Sequence, residues 1–523
     1  MHNRLGQMLI GSAVAAVALA APAASKWVYF GDDHKLHYRA DERGNRIVDF
    51  SYAGYHGGGV RLPSVAAAKT LAAVSGDNTA QIQAALDAVA HLPLNAAGFR
   101  GAVLLKAGTF ELDLLLKAGT FELDGTLQIA ASGVVLRGSG SDGGGTNIEL
   151  GGAPHRFLDI RGNGVPQAAG DTIGIKDAYV PSGASVVHLV NAAAFHAGDT
   201  VLVIHPVTEA WVHLMGMDTL VRDGKQQTWI KAGTAIRTDR VVQSVSGDAV
   251  TLDVPLTDNL DATFLQPAGA RMVKYTFPGR ISEVGVESLR IAAPSLDVAI
   301  TSAQYTVFRM DAVMDAWARD VVVQETQNGI VIGSAAKRIT LDGVRINHAQ
   351  PHSGAAAPAD FSLAGSQILL NRCAVNGEGT WPVVTQATVS GPNVVLNFGG
   401  DAHAGVSPHQ RWATGLLVDN LRLPNTVQRT PGIAFSNRKT AGSGHGWDVG
   451  WSVAWNVASP FLLVQQPPGS MNWCIGCTGE EVKKDDPLGI FDSRGVPVEP
   501  ESLYLEQLRE RLGQQAAVNI GYQ

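Results

Sequence analysis

The chain is poor in charge and nearly free of cysteine. Of its 523 residues only 17% are charged and three are Cys, whereas an average soluble domain carries about 25% charged residues. Basic residues are the minority, 40 Lys and Arg against 47 Asp and Glu. No basic stripe with interleaved aromatics runs along the chain, so the electrostatic footprint of a nucleic-acid binder is missing. Long acidic runs are missing too, and with 45% hydrophobic residues a net charge of −7 does not describe a disordered chain. Beyond the N-terminus no apolar segment is long enough to span a bilayer. Cys373 stands alone, while Cys474 and Cys477 form a C-x-x-C with neither a second pair to complete a zinc site nor a thioredoxin-like strand and helix around it. A local disulfide or two packed thiols is the expectation there.

Glycine, by contrast, is abundant, at 59 residues, above the usual ~7%. The N-terminus carries the pattern of an export signal: Arg4, then an uncharged apolar stretch from Met8 to Ala21, then small residues at Ala21-Pro22-Ala23. Cleavage after residue 23 predicts a soluble mature protein, secreted or periplasmic, with no membrane contact. Residues 24–75 lack periodicity, and their aromatic residues Trp27, Tyr29, Phe30, Phe50, Tyr52 and Tyr55 are expected to pack on a neighbouring surface. From Asp77 to Val89, Ile82, Ala85, Leu86 and Val89 fall on one helical face. After that helix the pattern becomes short runs of Val, Ile and Leu separated by Gly, Asn, Asp and Ser, as in Gly133 to Gly138, Val284 to Ile291, Asp320 to Val323, Gly329 to Gly333 and Arg338 to Ile346.

Such runs at irregular spacing suit stacked coils, none of which buries its inward face alone. The helix at 77–89, the segment Gly101 to Phe110 and the run Gly133 to Gly138 together resemble the opening of pectate-lyase-like, pectin-lyase-fold right-handed parallel β-helix proteins. The resemblance covers roughly residues 76–480. It implies an all-β solenoid capped by the helix, in a group whose exported members often act on acidic polysaccharides. Two segments depart from regular coils. Leu104 to Asp113, LLKAGTFELD, recurs unchanged as Leu115 to Asp124, an offset of 11 residues that cannot add a complete coil; one copy is expected to loop out or form a projecting hairpin. Residues 195–275 read as a small β-rich insertion. Beyond residue 480 a tail follows, in which Pro500 to Gly513 has a Pro start, a Gly stop and an apolar stripe, predicting a C-terminal helix.

Residues with chemistry cluster late. Asp401 to Gly415 carries His403, His409, Arg411 and Trp412; Ser436 to Asp448 carries Asn437, Arg438, His445 and Trp447. Coils one or two apart lie above one another, so these segments are expected to share a groove. A third candidate, His348 with His352, lies earlier. For β-elimination on a uronate-containing glycan a base must remove the proton beside the carboxylate, and donors must stabilise the charge that develops. His409 or His403 fits the base, Arg411 or Arg438 the carboxylate partner, and His445 the acid at the leaving oxygen. Arg411 can grip a carboxylate with two parallel hydrogen bonds. Trp412 and Trp447 fit sugar stacking, and Asn437 and Arg438 substrate binding; each of these residues also has a plainer role in a turn, an ion pair or the core.

Glycoside hydrolysis, which needs two flanking carboxylates, is the alternative. Gly444-His445-Gly446 is similar to the Gly-His-Gly of polygalacturonases, but neither an Asn-Thr-Asp nor an Asp-Asp pair precedes it, and the basic residues lie before the motif rather than after it. A non-catalytic carbohydrate-binding solenoid is the third reading. No cofactor is required by the sequence. Ca²⁺ has two candidate holders, Asp485-Asp486 and Asp258 with Asp261, and a two-His site of His403 with His409 would have only Asp401 as a third ligand. The expected partner is an acidic polysaccharide, and the expected state a monomer.

Overall fold

A computed structural model of the chain describes residues 23–107, 119–351, 359–377, 379–424 and 431–523. The export signal, the central part of the LLKAGTFELD repeat and His352 lie outside the described residues.

The solenoid follows from parallel pairing that repeats coil by coil. Gly101–Leu105 pairs with Val134–Arg137, which pairs with Ile281–Ala292. The ladder then climbs through Val313–Gln324, Lys337–Asp342, Ser366–Asn371, Val389–Leu396, Ala413–Asp419, Ser452–Trp455, Asn472–Ile475 and Ile490–Asp492. A second parallel sheet begins with Leu127–Ile129, Arg156–Arg161, Thr306–Asp311, Ile330–Ile332, Ala359–Leu363 and Trp381–Thr385. Val406 continues it as a single bridging residue between Val383 and Ile433. The strands Val389–Leu396, Ala413–Asp419, Ser452–Trp455 and Asn472–Ile475 are buried along their whole length, which calls for near-continuous apolar runs. One inward column shows the result. Leu136, Val286, Ala318, Leu341, Leu370, Val395, Val418, Ala454 and Cys474 lie above one another and are all buried in the principal core.

From Ser288 onward the coils turn one corner on a left-handed residue. Ser288, Asp320, Gly343, Arg372, Asn397, Asn420, Asn456, Gly476 and Ser493 occupy this corner with φ between 49° and 66°. Short polar side chains tolerate that region because they can bond locally, and here Asn420 donates to Asn397 at 2.8 Å.

The first coil is closed by the helix Thr79–Ala90, which buries Ile82, Ala85, Leu86 and Val89. At the other end the helix Leu503–Leu512 starts at Ser502, whose hydroxyl accepts the Leu505 N–H, and stops at Gly513. Between 163 and 280 the chain leaves the solenoid. The inserted unit begins earlier than the 195–275 read from the sequence: its antiparallel strands run from Gln167–Ala168 to Arg271–Thr276, around a core of its own that includes Val187, Val201, Val250 and Met272. Its first strands are two or three residues long, too short to show alternation. Arg240, fully buried, pins the unit to the solenoid by donating to the carbonyls of Pro255 and Gly391, both at 2.9 Å.

In the N-terminal segment Phe50 and Tyr55 are buried and Trp27 meets Trp473 edge-on at 5.6 Å. Tyr29 and Phe30 depart from the expectation, being exposed on a two-stranded ribbon Val28–Phe30 with Leu36–Tyr38. Cys474 and Cys477 are disulfide-bonded, with Cα atoms 5.8 Å apart. Among the described residues no helix is long and apolar enough to cross a membrane.

Candidate functional site

The two late segments do converge, because they belong to adjacent coils. Ala413–Asp419 pairs with Val449–Gly450 and Ser452–Trp455, which brings the turn before one strand against the turn before the other. The loop 437–447 is closed by a bridge between Asn437 and Trp447, and Arg438 N–H donates to the Gly446 carbonyl at 2.8 Å. His409 and His445 meet edge to face, ring centroids 4.5 Å apart. Arg438 donates to the His409 carbonyl at 2.9 Å, and the Arg411 N–H donates to the His445 carbonyl at 3.1 Å.

The electrostatics of this pair follow from its neighbours. Burial first, then the charges of Arg438 and Arg411, lower the His409 pKa to about 4. His445 is also lowered to about 4, by burial first and then by His409, Arg438 and Arg411. Both imidazoles are therefore neutral at pH 7, the form in which a histidine accepts a proton. The acid role read for His445 meets this setting: its ring sits under the loop, with Nε2 where a Cβ on Gly442 would fall, and its Nδ1 is buried without a hydrogen-bond partner.

The carboxylate role read for Arg411 is corrected. Its guanidinium donates to the Ser443 carbonyl at 2.9 Å, the Ser443 hydroxyl at 2.7 Å and the Gly444 carbonyl at 3.4 Å, so it fastens the loop and has no free fork for a carboxylate. Trp412 and Trp447 are 2% exposed and cannot stack on a sugar. Their indole N–H groups donate to Asp258 at 2.8 Å and to the Met215 carbonyl at 3.1 Å, inside a tryptophan cluster that joins the insertion to the solenoid. His403 stays with its own turn, Nδ1 3.3 Å from Asp401. His348 is buried against Asp360 at 2.9 Å.

Arg438 and Asn437 do line a groove, of about 600 Å³, together with Trp381, Pro408, Lys439, Lys483 and Lys484. Trp381, 36% exposed, was not singled out from the sequence because it opens an ordinary strand, Trp381–Thr385. The Arg438 guanidinium lies 5.5 Å from the centre of its ring. Asp485 and Asp486, read as possible cation holders, meet Lys439 at 3.1 and 3.3 Å. Asp258 takes the Trp412 indole N–H, and Asp261 pairs with Arg43 at 2.7 Å, so neither carboxylate stands open for an ion. Among the described residues, metal-ligand spacing occurs at His56, Glu283 and Asp315. These atoms are taken up by one another and by neighbours: His56 Nε2 with Glu283 at 2.8 Å, Tyr55 Oη with Glu283 at 2.5 Å, and Asp315 with Arg338. They latch the N-terminal segment onto the coils.

No protein-family model and no curated sequence matches the chain. Among solved structures it is similar to the tailspike of Pseudomonas phage LKA1, at 13% identity over 79% of this chain and 70% of that one, with a TM-score of 0.35. It is also similar to a tailspike of E. coli bacteriophage HK620 in complex with a pentasaccharide (12% identity, 90% and 70% of the two chains, TM-score 0.38). A third likeness is to PfbA, a surface adhesin of Streptococcus pneumoniae (10% identity, 79% and 77%, TM-score 0.32).

Proposed function

We propose that the chain is an exported polysaccharide lyase that binds a uronate-containing glycan along the groove beside Arg438 and cleaves it by β-elimination. The observation that carries this reading is the Arg438 guanidinium, which lines a groove with Lys483, Lys484 and the Lys439–Asp485–Asp486 cluster and donates to the main-chain carbonyl of His409, whose imidazole is uncharged. In that chemistry Arg438 meets the uronate carboxylate, His409 takes the proton on the carbon beside it, the electron pair forms the carbon–carbon double bond, and the carbon–oxygen bond to the next sugar breaks. Solvent returns a proton to the leaving oxygen. Arrival of the anion offsets the charge of Arg438 and so raises the basicity of His409 when it is needed. Trp381 supplies the exposed aromatic face for a sugar ring, and Lys483 and Lys484 the long-range attraction for a polyanion.

The test is ultraviolet absorbance on mixing the protein with polygalacturonate, alginate and hyaluronan. A rise from an unsaturated uronate supports the reading. New reducing ends without that rise mark a hydrolase, and binding without either marks a lectin-like solenoid; both outcomes overturn it.

A further inference from the structure

We propose that the cavity enclosed between the inserted unit and the last coils binds one neutral pyranose ring. It measures about 250 Å³, small beside the ~300–1,000 Å³ of sites for drug-sized ligands, which limits its occupant to a single ring. Three parts of the chain meet there: Arg43 from the N-terminal segment, His205, Trp211, Asn259 and Asp261 from the insertion, and Trp412 from the solenoid. Cavities at such junctions, with aromatic walls and a few converging polar groups, are where small ligands are held.

The polar groups select the chemistry. Asp261, 8% exposed, is paired with Arg43 at 2.7 Å, so the mouth offers a donor and an acceptor with little net charge. His205, 5% exposed, has an Nδ1 with no hydrogen-bond partner, 3.5 Å from Asp258. Its ring stands edge-on to Trp211, at 4.9 Å, and Trp211 stands edge-on to Trp412, at 5.8 Å. A small cavity walled by Trp211, Phe264 and Leu265, with a charge-balanced pair at its mouth and an unpaired imidazole nitrogen inside, suits a neutral ring bearing hydroxyls; a carboxylate would require an unpaired cation, and Arg43 is already paired.

A neighbouring hollow of about 340 Å³ shares Leu214, Met215, Pro468 and Gly469 with it, and shares Asn437 and Asp486 with the lysine-edged groove. The cavity's preference does not rest on the glycan-binding reading above.

The test uses the intrinsic fluorescence of the full chain titrated with D-glucose, D-galactose and D-mannose and with the corresponding uronates. A saturable change is expected with a neutral hexose and not with the uronates, and Arg43→Ala and His205→Gln should each weaken it by about tenfold. Arg43 is half exposed, so Arg43→Ala, its fold checked by circular dichroism, carries the test if the buried His205 proves indispensable. No change with any neutral hexose, equal binding of the uronates, or a change that persists in Arg43→Ala overturns the proposal. Failure to release unsaturated uronate would overturn the lyase reading and leave a positive hexose titration standing.

Discussion

The chemistry of His409 comes from what is pressed against it. An isolated histidine titrates near neutrality, but burial and two guanidiniums lower both His409 and His445 to about 4. The unfolded chain therefore binds more protons than the folded one between pH 6.5 and pH 4. The stability that this pair contributes is fully present above about 6.5 and is lost as the pH falls through about 4. His409→Ala is expected to lower turnover about 10²- to 10⁴-fold, the range of a general base, with little change in thermal midpoint; a rate within a few-fold of the parent would remove His409 from the reaction. In the parent, kcat/KM should fall on the acid side near pH 4 and not near 6.5. The sequence made the meeting of His409 with His445 legible, since both lie in turns before strands of one sheet. It could not show where the guanidiniums point. Arg411 and Arg438 look alike in the sequence, yet the Ser443 and Gly444 carbonyls capture Arg411 while Arg438 lines the groove, a difference set by loop conformation.

At the scale of elements, the corner column explains why polar residues interrupt the apolar runs at all. Asn456 holds φ 50° and donates to the carbonyls of Val498 at 2.8 Å and Glu501 at 3.0 Å, while accepting the Val498 N–H at 2.8 Å. Asn456→Ala removes these bonds and places a Cβ residue with no compensating side chain in the left-handed region. A loss of about 2–4 kcal/mol is expected by denaturant unfolding; a change below about 0.5 kcal/mol would show that the corner does not depend on the amide. The C-terminal helix is fastened at the neighbouring coil by Asp419, which accepts the Ser502 hydroxyl at 2.7 Å and the Tyr504 N–H at 2.8 Å. Burial pushes Asp419 up to about 7, so here the folded chain binds the extra proton and stability falls as the pH rises from about 3.8 to about 7. That slope opposes the slope of the histidine pair. Asp419→Asn should remove it, leaving a steeper rise of stability between pH 4 and pH 6.5; an unchanged profile would refute the assignment. Both terminal helices were legible because each pairs an apolar stripe with end signals. For Trp412 and Trp447 the sequence allowed both packing and sugar stacking, and it did not show what they pack against. The helix Glu209–Leu214 and Trp229, which help enclose them, lie some 200 residues earlier, and nothing local marks that distant contact.

At the scale of the whole molecule, the repeated decapeptide divides between two coil positions. The first copy contributes Leu104 and Leu105 to the strand that pairs with Val134–Arg137, and the second contributes Thr120 to Leu123 to the strand that pairs with Asn147–Leu150. Leu104 to Ala107 from one copy and Gly119 to Asp124 from the other add up to a single LLKAGTFELD. The intervening residues 108–118 are one full repeat unit. Their removal joins Ala107 to Gly119 and leaves Leu105, Lys106, Ala107 and Gly119 to connect Leu104 with Thr120. The coils above show that this connection is long enough. Leu104 stacks on Arg137 and Glu287, and Thr120 on Asn147 and Arg290; in the third coil Ser288 and Leu289 alone span the same corner. A chain lacking residues 108–118 should therefore fold to the same solenoid, with an equal or slightly higher thermal midpoint, because a shorter connection costs less chain entropy to close. It should also keep any glycan binding or cleavage, since the groove lies at the far end of the stack. An insoluble product, or a midpoint lowered by more than about 5 °C, equivalent to about 5 kcal/mol in a cooperative chain of this length, would show that the second copy has become part of the fold.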